Sequence, residues 1–200
     1  SWEGAYRISI GQMPFRDFSL PMGYGYWLIP ALFFKLFGPF MYSLIKAEVL
    51  INLISIVAFR TILSLLKVKP EIILFSVLVF CLSYVSKNFW PWYNHSVVVF
   101  ELVGLAFLLA AILKSSSWKT WLYLTGAAFF IFLSFFTKQD VGGMAILIAF
   151  AILLYDALIT KSARKLLIYT ATLILISILF IVPLLQYDFA YWFNHGQPPH

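Results

Sequence analysis

Charge is scarce in this sequence, and so is the polar face that nearly every helix of a water-soluble protein carries. Only 11% of its 200 residues are Asp, Glu, Lys or Arg. With 62% hydrophobic residues and a mean hydropathy of +0.92, the composition excludes a soluble globule. Cysteine is nearly absent. Cys81 stands alone inside an apolar run, which excludes a disulfide framework and cysteine-based metal spacing. The net charge of +6 does not point to nucleic acid, because the basic residues sit singly or in small groups at the ends of apolar runs. No repeat, low-complexity tract or soluble domain is visible. The chain opens at Ser1 in polar, aromatic sequence without a secretory leader. It is therefore expected to be a piece of a longer protein, lacking an N-terminal span and a C-terminal part.

What the sequence does have is length of apolar run. Six segments, roughly 40–66, 71–90, 95–113, 119–137, 141–160 and 165–185, are each long enough to cross a bilayer as a helix. The expected fold is all-α, a polytopic membrane helical bundle forming one membrane domain. The connections carrying Lys67, Lys69, Lys114, Lys119, Lys161, Arg164 and Lys165 are assigned to the cytoplasm by the positive-inside rule. The alternate connections, WPWYNH near 90–95 and TKQD at 137–140, then fall on the outer face with both termini. Residues 1–39 mix charge, Gly, Pro and aromatics, and form an outer loop. Amphipathic runs around 3–12 and 26–37 predict helices lying in the interface, punctuated by Pro14, Pro21 and Gly23. Residues 186–200 form a further outer segment.

Polar groups are costly in lipid, so their distribution marks where chemistry can occur. Glu3, Asp17, Asp140 and Asp188 all fall on the outer face, joined by Arg7, Arg16, Lys35, Lys138, Asn94, His95 and His195. Such a surface can hold an anionic headgroup with its cations and leave a carboxylate to take a proton. Plainer roles stand beside these. Glu3 and Asp17 can simply pair with Arg7 and Arg16 in water. Lys138, Gln139 and Asp140 can be a solvated turn. Trp90, Trp92 and Tyr93 read first as an interfacial belt. Glu48 and Glu101 lie inside spans and should face the bundle, Glu48 meeting Asn52 one turn on, while Lys46 snorkels outward. Asp156 and Arg60, near cytoplasmic ends, are excluded from the site. Carboxylates at the outer face can take a divalent ion, but no cofactor or metal-ligand set is assigned.

The segment EGAYRISIGQMPFRDFSLPMGYGYWLIPALFFKLFG resembles the first outer loop of polyprenyl-phosphate-sugar-dependent glycosyltransferases of the GT-C superfamily, in the branch of bacterial protein mannosyltransferases and aminoarabinose lipid A transferases. The likeness is carried by Glu3, Gly4 and Tyr6, by Gly11 before PFRDF, by a Pro/Gly stretch and by a closing LFG. FFTKQDVGG is similar to a short outer connection of these enzymes, and YWFNHGQPPH to the start of a later outer segment. The resemblance implies inverting transfer of a sugar from a polyprenyl-phosphate donor to a lipid, glycan or protein acceptor, at the outer face of the cytoplasmic membrane. It implies Glu3 and Asp17 as catalytic acids, and donor or acceptor binding by Lys138, Gln139 and Asp140. Arg7, Arg16, Asn94 and His95 complete the expected binding set. Trp2 stands where many members have Asp, a departure at the catalytic position. A multi-span transporter or lipid flippase is the alternative, and a non-catalytic subunit of a membrane complex a third reading.

Overall fold

A computed structural model describes residues 2–18, 23–114 and 117–187. Eight α-helices lie in these residues: α1 (Trp2–Ser9), α2 (Leu28–Phe37), α3 (Met41–Leu65), α4 (Pro70–Ser83), α5 (Tyr93–Leu113), α6 (Ser117–Thr137), α7 (Gln139–Thr160) and α8 (Arg164–Ile181). Helices α3 to α8, with α4 and α8 continued by the 3-10 turns that follow them to Lys87 and Leu184, supply six spans long and apolar enough to cross a membrane. The chain is an all-α, multi-pass membrane protein. Their lipid-facing surface carries exposed side chains such as Phe75, Leu82, Leu147, Leu158 and Leu179. In hydrocarbon such residues need no polar partner, and the helical backbone satisfies its own hydrogen bonds.

Helix α6 occupies the centre and packs on α5, α7 and α8. Its buried Leu124, Ala127, Ala128, Ile131, Phe132 and Phe136 form the middle of the largest core cluster. Leu108 and Ala111 of α5, Leu153 of α7 and Tyr169 of α8 close around them. Helix α4 buries none of its residues and lies at the periphery against α3. The alternation of spans gathers Lys67, Lys69, Lys161, Arg164 and Lys165 at one end of the bundle and α1, α2 and the start of α5 at the other.

Two predicted spans end earlier as helix than the apolar runs do. The run 71–90 is α-helical only to Ser83 and continues as a 3-10 turn, Val85–Lys87, where Asn88 Nδ2 donates to the Tyr84 carbonyl at 2.8 Å. The run 165–185 is α-helical to Ile181, and Pro183 within the 3-10 turn Val182–Leu184 ends it. The predicted four-residue connection at 137–140 is shorter still. Lys138 alone joins α6 to α7, in an extended conformation, and Gln139 and Asp140 belong to the first turn of α7. A carboxylate at that position is favoured by the helix dipole.

Both amphipathic runs of the first loop form helices. Helix α1 buries Gly4 and Ala5, and a Cβ on Gly4 would overlap the Trp27 indole, so glycine lets the ring lie on the helix backbone. Gly11, at φ +88°, ends this helical stretch: its N–H reaches the Ile8 carbonyl while the Gln12 N–H reaches that of Arg7. The second run forms a 3-10 turn, Gly25–Trp27, leading into α2.

Candidate functional site at the first-loop end

The segment PFRDF folds into a tight turn. Phe15 adopts φ +67°, a left-handed conformation costly for a bulky residue, and its ring is buried in the main core cluster. Its N–H bonds the Phe18 carbonyl at 2.9 Å, and the Asp17 N–H bonds the Met13 carbonyl at 2.9 Å. Asp17 locks the turn with its side chain: Oδ2 accepts from the Met13 N–H at 2.7 Å and from Arg16 Nη2 at 2.8 Å, and Oδ1 accepts from Arg16 Nε at 2.9 Å. These donors, the Arg16 bond foremost, hold the Asp17 carboxyl at about 2, below its ordinary 3.8. Arg16 is raised by the same pairing, with a smaller contribution from Tyr187 beyond α8.

Glu3 is placed differently. Arg7 donates to it through Nε at 3.1 Å and Nη2 at 2.8 Å, both to Oε1, so Oε2 remains an open acceptor on a side chain that is 74% exposed. Arg7 is itself held by Gln12 Oε1, at 3.3 Å from Nη1, and by the Phe18 ring, 5.3 Å away. Of the two candidate acids, Glu3 has the geometry of a proton acceptor and Asp17 that of a structural clasp.

A row of aromatic rings joins this loop to the bundle. Phe18 lies 6.1 Å from Trp27, Trp27 4.9 Å from Tyr26, and Tyr26 6.0 Å from Tyr93 at the start of α5. Lys138 Nζ stands 5.8 Å from the Tyr93 ring and 3.6 Å from Asp140. The row thus connects the Glu3–Arg7 pair at one side to the Lys138–Asp140 pair at the other. Burial raises the Tyr24 and Tyr26 hydroxyls above their ordinary value, so both stay neutral hydrogen-bonding groups. Trp27 Nε1 and Thr137 Oγ1 are buried in this region without a partner. Asn94 is exposed on the first turn of α5, and Trp90 and Trp92 are about half exposed, as an interfacial belt requires.

His95 does not join the exposed set. Its side chain is 1% exposed, with Nδ1 2.8 Å from Oε1 of Glu48, itself 3% exposed. The expected Glu48–Asn52 contact is replaced by this pair between α3 and α5, and Asn52 Nδ2 turns to the Asn88 carbonyl at 3.5 Å. One step along α5 from Asn94 rotates His95 by about 100°, from the surface into the bundle. The Tyr84 ring packs on its imidazole, with centroids 5.2 Å apart. Glu101 faces inward, accepting from Ser134 Oγ of α6 at 3.3 Å and lining a cavity of about 210 Å³ against α7. Lys46 lies over Phe37 and Tyr42, at 4.1 and 4.7 Å. Asp188, His195 and the YWFNHGQPPH segment lie outside the described residues. Among the described residues no group of three or more His, Cys, Asp or Glu side chains is arranged to hold a metal ion. No family model, curated protein or solved structure matches the chain.

Proposed function

We propose that this chain is part of a GT-C-type glycosyltransferase that moves a sugar from a polyprenyl-phosphate donor to an acceptor hydroxyl or amine at the extracytoplasmic face of the cell membrane. The observation that carries the reading is the joining of Glu3–Arg7 and Lys138–Asp140 by one aromatic row at one end of the bundle. The resemblance of residues 3–38 to the first loop of that superfamily supports it, as does the lysine excess at the opposite end. In this mechanism Glu3 Oε2 takes the acceptor proton while the acceptor atom attacks the anomeric carbon. The bond from that carbon to the phosphate oxygen breaks, and the lipid phosphate leaves with both electrons. Arg7 and Lys138 stabilise the charge that develops on it. Asp17 and Arg16 hold the loop in shape, and the half-exposed rings of Trp90 and Trp92 offer faces for the sugar and the prenyl chain.

Transport is the second reading, favoured by the Glu48–His95 pair and by Glu101, ionisable groups inside spans. Full-length protein in liposomes, given radiolabelled sugars on a panel of polyprenyl phosphates, separates the two. Label appearing on acceptor supports transfer; a folded preparation that turns over no donor but moves intact donor across the bilayer establishes transport instead.

A further inference from the structure

Two carboxylates lie deep in the spans, and they are placed differently. Glu48 is sealed: its side chain is 3% exposed and stands 2.8 Å from His95 Nδ1. Glu101 lies eight residues along α5 from Tyr93, about 12 Å down the helix axis. It is only half-buried, and it opens into the cavity of about 210 Å³ between α5, α6 and α7. Among the described residues it makes no ion pair. Its hydrogen bond there comes from Ser134 Oγ, at 3.3 Å to Oε1, and leaves Oε2 free to accept.

The rest of the cavity is hydrocarbon. Glu101 shares its face of α5 with Leu102 and Leu105, and α7 presents Met144, Ala145 and Ile148 across the gap; no other lining residue is ionisable. The small Ala145 keeps the gap open, and Met144 and Ile148, each more than half exposed, place its mouth at the lipid-facing surface. A carboxyl in such surroundings is costly to ionise unless a partner neutralises it and donates a hydrogen bond. A divalent ion needs several oxygen ligands, and no group of three or more metal-ligating side chains exists among the described residues. An alcohol donates a hydrogen bond but brings no charge, and a quaternary ammonium brings charge without an N–H. A primary or secondary amine brings both. Whether a neutral amine takes the proton of the acid or an ammonium meets the carboxylate, the product is the same ion pair. The volume falls short of the roughly 300–1,000 Å³ of pockets that enclose a whole drug-sized ligand, so it takes one end of a longer molecule.

We infer that this cavity binds the amino end of a lipid-soluble alkylamine, its N–H donating to Glu101 Oε2 and its hydrocarbon chain leaving past Met144 and Ile148 into the bilayer. The site shares no residue with the Glu3–Arg7 and Lys138–Asp140 pairs and does not depend on sugar transfer.

The test is binding of radiolabelled n-dodecylamine to the full-length protein in nanodiscs, with partition into empty nanodiscs subtracted. One saturable site per protein is expected, displaced by excess dodecylamine but not by dodecanol or dodecyltrimethylammonium at the same membrane concentration. Glu101→Gln keeps an acceptor for Ser134 but loses the charge, and should weaken the site by roughly tenfold or more, in line with one charge-assisted hydrogen bond. Ala145→Leu keeps the carboxylate and fills the gap, and should weaken binding as much; it carries the test if Glu101→Gln does not yield folded protein. Absence of a saturable site overturns the proposal, as does binding unchanged in either folded variant. Equal displacement by dodecanol or by dodecyltrimethylammonium also overturns it, since the cavity would then be recognising a chain or a charge and not an amine.

Discussion

Glu3 and Asp17 differ in how their oxygens are used, and the difference sets what each can do. Both Arg7 bonds fall on Oε1 of Glu3, whereas Asp17 has three donors across its two oxygens. A carboxylate so engaged is a weak base. Its ionised form is favoured by the fold, so its contribution to the turn is complete above the ordinary value of 3.8 and is lost as pH falls through about 2. A carboxyl ¹³C titration in detergent should therefore place the Asp17 midpoint near 2; a midpoint near 3.8 would mean that the clasp does not form. The Glu48–His95 pair makes a separate prediction. His95→Leu leaves Glu48 buried without its partner and should cost about 3 kcal/mol, lowering the thermal transition, while adding Glu48→Leu should recover most of the loss. No recovery in the double variant would show that the pair contributes more than mutual compensation. Sequence alone marked Glu48 and His95 as separate polar residues. Their meeting depends on how α3 and α5 are rotated about their axes, and the near-continuous apolar surface of these spans does not display that rotation.

Helix contacts in this bundle depend on small residues, since lipid gives no hydrophobic drive for one span to prefer another. Gly142 of α7 lies against the α6 backbone, where a Cβ would overlap Phe135 N and Cα, while a Cβ on the neighbouring Gly143 would meet nothing. Gly142→Ala should push α7 from α6 and destabilise by about 1–3 kcal/mol. Gly143→Ala should be neutral, or stabilising by up to about 1 kcal/mol through helix propensity. Thermal unfolding of the two variants side by side checks this, and equal effects would contradict the α6–α7 contact. The elements themselves were legible: runs of apolar residues gave six spans, and the amphipathic stretches of the first loop gave α1 and α2. Their ends were less so. The spans' hydrophobicity outlasts their helices at Tyr84 and Val182, because a side-chain hydrogen bond to the backbone and a proline terminate helices that hydropathy continues. At Lys138 the opposite occurs, and polar Gln139 and Asp140 enter α7 because a helix N-terminus accepts them.

Across the whole molecule, polarity divides between two ends. One carries α1, α2, the aromatic row and the Lys138 connection; the other carries Lys67, Lys69, Lys161 and Arg164 and the Asp156–Lys165 pair. The positive-inside rule predicts which end faces outward, and that prediction is testable in cells. In a background with Cys81→Ser, Trp92→Cys should react with an impermeant maleimide added outside, and Lys161→Cys only after permeabilisation; the reverse pattern would place the candidate site in the cytoplasm. Sequence indicated this one-sidedness from charge counts alone, but it could not separate base from clasp, since the PFRDF turn that occupies Asp17 forms only in three dimensions. The most direct measurement is the rate of sugar transfer from a polyprenyl-phosphate donor by full-length Glu3→Gln and Asp17→Asn in liposomes. Loss of general-base catalysis should lower kcat of Glu3→Gln by about 10²-fold or more with little change in KM, while Asp17→Asn should act more weakly and through KM as the loop loosens. Full activity in Glu3→Gln would contradict the account.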